Sequence, residues 1–358
     1  MDFKKAVRKL FASTPSSVLG IDLGSEFVKI AQVELKGSRP EVREFVITEL
    51  PANLKGAALT TAKDEMAAFL HDLFNRYNFT TKFAVFSING RNAFVREVGM
   101  PEMPDDELKQ AVAWDAGQYV PYETDTYYLD YAKFGEVTQE GRQPVVLVAT
   151  LKDIVDSTLE ISDLLGLKVL KFDIDSLTLC RTLSQTLTNF ILLDIGHTYS
   201  MMTLFQSAAP VAQRALPQGF GDFLETVAVT TGTDVKKAEE LVREGSYLKQ
   251  EGETEELAAK SLKNSINALL RECLLTSDYY ASNNREKEFT HIVLAGTGAN
   301  IPDIAEYVKS STELEVIRHD VRDAVSFSSK FDGKKVEAAA PALAVAIGAA
   351  LAGGESDD

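Results

Sequence analysis

"VLGIDLGSEFVKIAQVEL", Val18 to Leu35, is the stretch that decides the fold. Val18 to Ile21 reads as a short buried strand, and Phe27 to Leu35 alternates apolar and polar residues as a half-buried strand does. Asp22, Gly24 and Ser25 therefore fall near the tip of a hairpin. A purely structural turn favours Asn-Gly or Asp-Gly and needs no acid at the strand end. A phosphate-binding turn needs all three residues. The glycine lets a backbone N–H approach an anion, the serine hydroxyl donates to it, and the acid can hold a magnesium-bound water. Taken alone, the stretch leaves both readings open, and a second copy elsewhere in the chain would decide between them.

That copy stands at "NFILLDIGHTYSMMTLF". An apolar strand, Phe190 to Leu193, ends in Asp194, Ile195 and Gly196, and a second apolar strand follows. Two strand–Asp-x-Gly–strand hairpins, each ahead of its own helices, predict two related lobes facing a shared cleft. A third glycine turn lies in "HIVLAGTGANIPDI", where Gly296, Thr297 and Gly298 separate a strand from a helix. Its backbone can lie flat against a purine or ribose. "AAAPALAVAIGAAL" near the end reads as a small-residue helix able to pack very closely. Between the first hairpin and its copy, Ala93–Met100, "YYLDYAKFG" and "QPVVLVATL" read as strands around a helix bounded by prolines, a compact insert. The helix expected after "LKVLKFDID" runs through "SLTLCRTLSQTL".

Composition sets the limits. The chain has 358 residues, 45% apolar and 25% charged, with a net charge of −16. That length fits two domains at roughly 100–200 residues each. The acidity argues against nucleic acid, whose phosphates need clustered Lys and Arg. Cys180 and Cys273 sit in helix-like apolar text without metal-ligand spacing and read as reduced core residues of a cytosolic protein. No run in the sequence approaches a membrane span and no signal peptide is visible. The opening "MDFKKAVRKLFAS" departs from the overall charge. Phe3, Ala6, Val7, Leu10 and Phe11 share one side of a helical wheel, and Lys4, Lys5, Arg8 and Lys9 fill the other. Such a segment can lie on an anionic membrane, dock on a partner or pack on its own domain.

In order, Asp22-x-Gly24, the acidic helix start at Asp173 and Asp175, Asp194-x-Gly196, Gly296-x-Gly298 and the terminal small-residue helix resemble the actin/chaperone/sugar-kinase ATPase superfamily. The resemblance covers roughly Val18 to Leu351. It implies a two-lobed α/β actin-like (ribonuclease-H-like) fold with a small α+β insert subdomain in the first lobe. The expected first lobe spans 18–190, with the insert at about 92–165, and is completed by a C-terminal helix, 338–352. The second spans 191–337, with a helical subdomain at about 218–285, and residues 1–17 stand apart as the basic helix. It further implies ATP and Mg²⁺ as cofactors, with Asp22 and Asp194 orienting waters on the metal. Ser25 and the Gly24 and Gly196 N–H groups would hold phosphates, Glu239 would meet the ribose, and the Gly296–Gly298 turn would carry the adenine. Asp175 would position the attacking water. Three departures imply slow or absent hydrolysis. His197 stands where relatives have a small residue, Thr297 replaces a glycine, and Val242 replaces a lysine, with Arg243 as its nearest substitute.

The insert narrows the family. "FVREVGMPEMPDDELKQAVAWDAGQYVPYETDTYYLDY", Phe94 to Tyr131, resembles the PilM proteins of type IV pilus assembly. That resemblance implies a cytoplasmic ATP-binding scaffold, peripheral at the inner membrane. It would capture the N-terminal peptide of a PilN-like membrane protein in a groove beside the insert and couple it to the pilus motor. Trp114, Asp115, Tyr119, Pro121 and Tyr122 are the expected partner residues. An exposed Trp beside an acid suits a peptide with apolar and basic residues, whereas a buried Trp114 would be plain core. The same insert also resembles the polymerising cell-division protein FtsA, although the ending "GGESDD" lacks that protein's amphipathic helix. A small-molecule kinase of the same superfamily is the third reading, with no candidate base beyond Asp175.

Overall fold

The computed structural model describes residues 15–37, 39–183, 187–252, 256–283 and 288–355. The basic segment at 1–14 lies outside them. Strands β1 (Ser17–Leu23), β2 (Phe27–Glu34) and β3 (Glu41–Glu49) form an antiparallel meander. Helix α1 (Leu59–Arg76) returns the chain to β4 (Phe83–Ile88), parallel to β1. The insert follows as β5 (Ala93–Pro101), α2 (Asp105–Tyr119), β6 (Tyr127–Lys133) and β7 (Arg142–Leu151). Helix α3 (Lys152–Leu164) leads back to β8 (Lys168–Ile174), parallel to β4, and to the short helix α4 (Asp175–Arg181).

The second half repeats the plan. Strands β9 (Phe190–Ile195), β10 (Ser200–Gln206) and β11 (Ala209–Leu216) form another antiparallel meander. Helices α5 (Phe220–Thr231), α6 (Val235–Glu244) and α7 (Leu257–Asn283) precede β12 (His291–Ala295), which is parallel to β9. Helix α8 (Ile304–Thr312) and β13 (Glu315–Arg318) complete the copy. The remaining strand β14 (Ser326–Phe327) pairs with β3, and α9 (Gly333–Ala352) closes the fold. The sheets run β14-β3-β2-β1-β4-β8 and β13-β12-β9-β10-β11-β5-β7-β6. The order β3-β2-β1-β4-β8 thus recurs as β11-β10-β9-β12-β13, which makes the duplication structural as well as textual. Asp22 and Asp194 occupy equivalent ends of the two first strands. The insert strands extend the second sheet through the pairing of Arg96 with Ala212, so the insert leans on both halves.

Helix α9 passes the length and hydropathy test for a membrane span, but 61% of its apolar window is buried inside the protein. Its alanines and glycine make that burial close. A Cβ on Gly20 of β1 would lie 1.7 Å from the Ala346 carbonyl oxygen, and one on Gly348 would lie 2.0 Å from that of Thr178 on α4. Neither obstacle is a side chain that can rotate away. Gly20→Ala is therefore expected to cost about 1–3 kcal/mol or more through overpacking, read as a fall in melting temperature. An unchanged melt would mean that α9 does not rest on β1. Helix α4 stops at Arg181, short of the expected "SLTLCRTLSQTL". Thr182 caps it, its hydroxyl 2.9 Å from the Leu179 carbonyl and 2.7 Å from His319 Nε2. Burial pushes His319 down to about 4, so this contact is a neutral structural one.

Candidate functional site

Strand β1 delivers Asp22 to the cleft 7% exposed, and the β1–β2 register sets Lys29 directly across from it. The Lys29 Nζ donates to Asp22 Oδ2 at 2.7 Å. Burial works against the Lys29 charge, yet Asp22, with Asp194 and Asp175 behind it, holds its pKa above the ordinary value. Asp22 thus pairs with Lys29 directly, and Asp194 and Asp175 act on the same lysine through their charges. Burial pushes Asp194 up to about 6, with the Lys29 charge opposing and the Asp22 charge adding. Burial, then the charges of Asp22 and Asp194, push Asp175 up to about 8. That rise persists although Ser87 Oγ donates to Asp175 Oδ1 at 2.5 Å and the Gly90 N–H donates to Oδ2 at 3.2 Å. Half-buried acids that hold protons at such high pH mark a deficit of positive charge, and a hydrated divalent cation fits it.

The two hairpin tips meet: the Ser25 and Thr198 hydroxyls are 3.1 Å apart. The Gly24 N–H is committed to the Phe27 carbonyl at 3.0 Å, so this glycine supplies the tight turn and its own donor is occupied. Gly196 likewise has no room for a side chain, since a Cβ would lie 2.7 Å from the Tyr199 carbonyl oxygen. His197 is exposed, with its ring edge-on to Phe27 at 6.3 Å, and its carbonyl accepts from the Gly221 N–H at 2.8 Å. The imidazole therefore lines the rim between the tips. Gly196 O accepts from the Phe220 N–H at 2.8 Å, which sets the start of α5 against the second hairpin. The Arg243 guanidinium lies 4.9 Å from the Phe220 ring, and its Nε donates to Glu239 at 2.8 Å. Glu239 is held by Arg243 on the exposed side of the helix, while Val242 is fully buried core. Gly296 has φ +78°, and a Cβ there would lie 2.2 Å from Asp194 Oδ1, so the third turn is packed against the second acid. The Thr297 hydroxyl is buried without a partner among the described residues. Asp173 stands apart from the cleft. Arg181 Nη1 donates to it at 2.7 Å while Arg181 Nε holds Glu355, which ties α4 to the end of α9.

On the insert, Leu108, Val112 and Ala116 bury one face of α2 and leave Trp114 88% exposed. Pro121 is exposed too, and Asp115 accepts from Gln118 at 3.2 Å. Tyr119 and Tyr122 are half-buried. The first lies under the Arg96 guanidinium at 5.8 Å and the second against Tyr127 at 6.1 Å, so both pack within the insert. Sequence reading missed Lys29, Ser87, Asn89, Thr198 and Tyr199. Lys29 was findable, because it is the polar position of β2 that a hairpin turning at Gly24 must set beside Asp22.

A family model described as "Type IV pilus assembly protein PilM" matches residues 20–353. Among solved structures, the chain is similar to one described as "PilM-PilN type IV pilus biogenesis complex". The identity is 22% and the TM-score 0.77, over 96% of this chain and 100% of that one. It is also similar to the ethanolamine utilization protein EutJ from Carboxydothermus hydrogenoformans, at 12% identity and TM-score 0.52, over 96% and 93%. The fold is the two-lobed actin-like ATPase fold.

Proposed function

The chain belongs to the PilM family of type IV pilus assembly proteins, and we propose that within that assembly it works as a nucleotide-binding adaptor. The observation that carries the reading is the site itself, in which buried Asp22 pairs with Lys29 at one hairpin end while half-buried Asp194, at the end of the duplicate hairpin's first strand, and Asp175, at a helix start, share their field. Asp22 and Asp194 would hold hydrated Mg²⁺, Lys29, Ser25 and Thr198 would face the phosphates of ATP, and Glu239 the ribose. The third turn, Gly296 to Gly298, would back the base. Bound Mg²⁺ supplies charge neutralisation on the phosphates. Asp175 is poorly suited to fast proton transfer. Both its oxygens are engaged, and near neutral pH it carries its own proton. Turnover is accordingly slow or absent, and nucleotide serves to set the relation of the lobes.

The insert would hold the N-terminal peptide of a PilN-like membrane protein, and through it the motor complex. Support comes from the exposed Trp114 and from the similarity to a PilM-PilN complex. The basic segment carrying Lys4, Lys5, Arg8 and Lys9 would add a peripheral contact with the anionic inner-membrane surface. A labelled peptide of about a dozen residues from the PilN-like protein is the probe. Wild type should retain it, and Trp114→Ala should weaken binding by about tenfold or more without moving the melting temperature. Equal affinities in the two proteins would reject the Trp114 face as the docking site.

A further inference from the structure

We propose that the turn Asn89–Arg91 relays the state of the cleft to the insert, an inference that rests on reading the cleft as a nucleotide site. The turn joins β4 to β5, so the chain passes through it from the cleft floor straight into the insert. On the cleft side it grips Asp175 through the Gly90 N–H, and Ser87 just before it grips the other carboxylate oxygen. On the far side it is held by the second hairpin. Gln213 Nε2 donates to the Gly90 carbonyl at 3.0 Å, the Tyr199 hydroxyl donates to Asn89 Oδ1, and the Arg91 guanidinium lies 5.1 Å from the Tyr199 ring. Tyr199 and Gln213 belong to the hydrogen-bonded β9–β10–β11 meander that also carries Asp194, so the second acid and these two anchors are tied into one sheet unit.

The packing leaves no slack. A Cβ on Gly90 would sit 2.5 Å from Gln213 Nε2 and 2.9 Å from Met201 Cε. The neighbouring residue Ala212 makes the pairing with Arg96 that attaches the insert sheet to the second sheet. A displacement of the second hairpin relative to Asp175 therefore reaches β5 through the turn and the strand pairing together. Gln213 Oε1 is buried without a hydrogen-bond partner among the described residues. An unpaired buried acceptor costs free energy, so a movement that gives Gln213 Oε1 a partner would be favoured at this point of the turn.

The test is amide hydrogen exchange on the full chain with and without Mg²⁺ and AMPPNP. In wild type, the ligand should slow exchange in the Asp22–Phe27 hairpin and, through the relay, in β5 and α2 by about fivefold or more. The double variant Gln213→Ala/Tyr199→Phe should keep the hairpin response and lose the insert response. Each single variant is run beside it, so a poorly folding double variant leaves the comparison intact. Persistence of the insert response in the variants overturns the relay, as does a wild-type hairpin response with no insert response. No slowing anywhere overturns both the relay and the nucleotide reading.

Discussion

Lys29→Met is expected to destabilise the protein by about 3 kcal/mol above neutral pH and to weaken nucleotide binding roughly a hundredfold. The methionine keeps the aliphatic stem and removes only the charge. Asp22, whose side chain is 9% exposed, then loses its partner at 2.7 Å, and Asp194 and Asp175 lose the cation whose field they share. Breaking one side of a buried pair costs far more than the pair contributes, because the remaining charge stays desolvated. The acids can escape the cost by taking up protons. The deficit should therefore shrink as pH falls through about 6, where Asp194 protonates. Denaturant unfolding above and below that pH measures it. Equal losses at both would show that Lys29 acts through packing and leaves the acids unaffected. Millimolar Mg²⁺ should restore part of the lost stability, since a divalent cation supplies the missing charge.

Much of this arrangement could be read from the chain, and the limits have physical causes. The two Asp-x-Gly hairpins are local, since strand, turn and strand adjoin in sequence, and period-two alternation exposes them. The duplicated helices and the alanine-rich α9 follow from spacing and side-chain size. Strand β14, two residues long, lies beneath any periodic signal, and β13, with four half-buried or exposed residues, has no apolar face to declare it. The Arg96–Ala212 pairing that ties the insert to the second sheet joins segments far apart in sequence, and nothing local encodes it. In the site, Asp22, Asp175 and Asp194 were identifiable as acids at element ends, and the structure brings them into one field. Lys29 was legible from the local hairpin register, whereas Tyr199 and Asn89 escaped because their contact joins segments far apart in sequence. Trp114 shows the reverse case. Its helical flank was legible, and which flank meets solvent needed the sheet beneath α2.

Asp175→Asn is expected to raise the stability of the nucleotide-free protein at alkaline pH by several kcal/mol, up to about 6 if the whole shift is realised. The sign follows from linkage. The folded-state pKa of Asp175, about 8, lies above the ordinary 3.8. Below the lower value both states carry the proton and the residue is neutral to stability. Between the two, the folded chain keeps a proton that the unfolded chain has released, so stability falls steadily as pH rises, and above about 8 the whole loss is in place. Asp194 adds a smaller fall that ends near 6. The amide has nothing to titrate, so the variant-minus-wild-type difference should grow up to about pH 8 and then level. Geometry favours the swap, since the amide oxygen can keep the Gly90 N–H while the rotatable Ser87 hydroxyl turns to accept from the amide nitrogen. Calorimetric melts across pH give the difference curve, and a flat one would mean that Asp175 ionises freely in the cleft. The proton that Asp175 keeps reports the negative field of Asp22 and Asp194, so a cation bound beside those acids should lower its pKa and narrow the difference between variant and wild type.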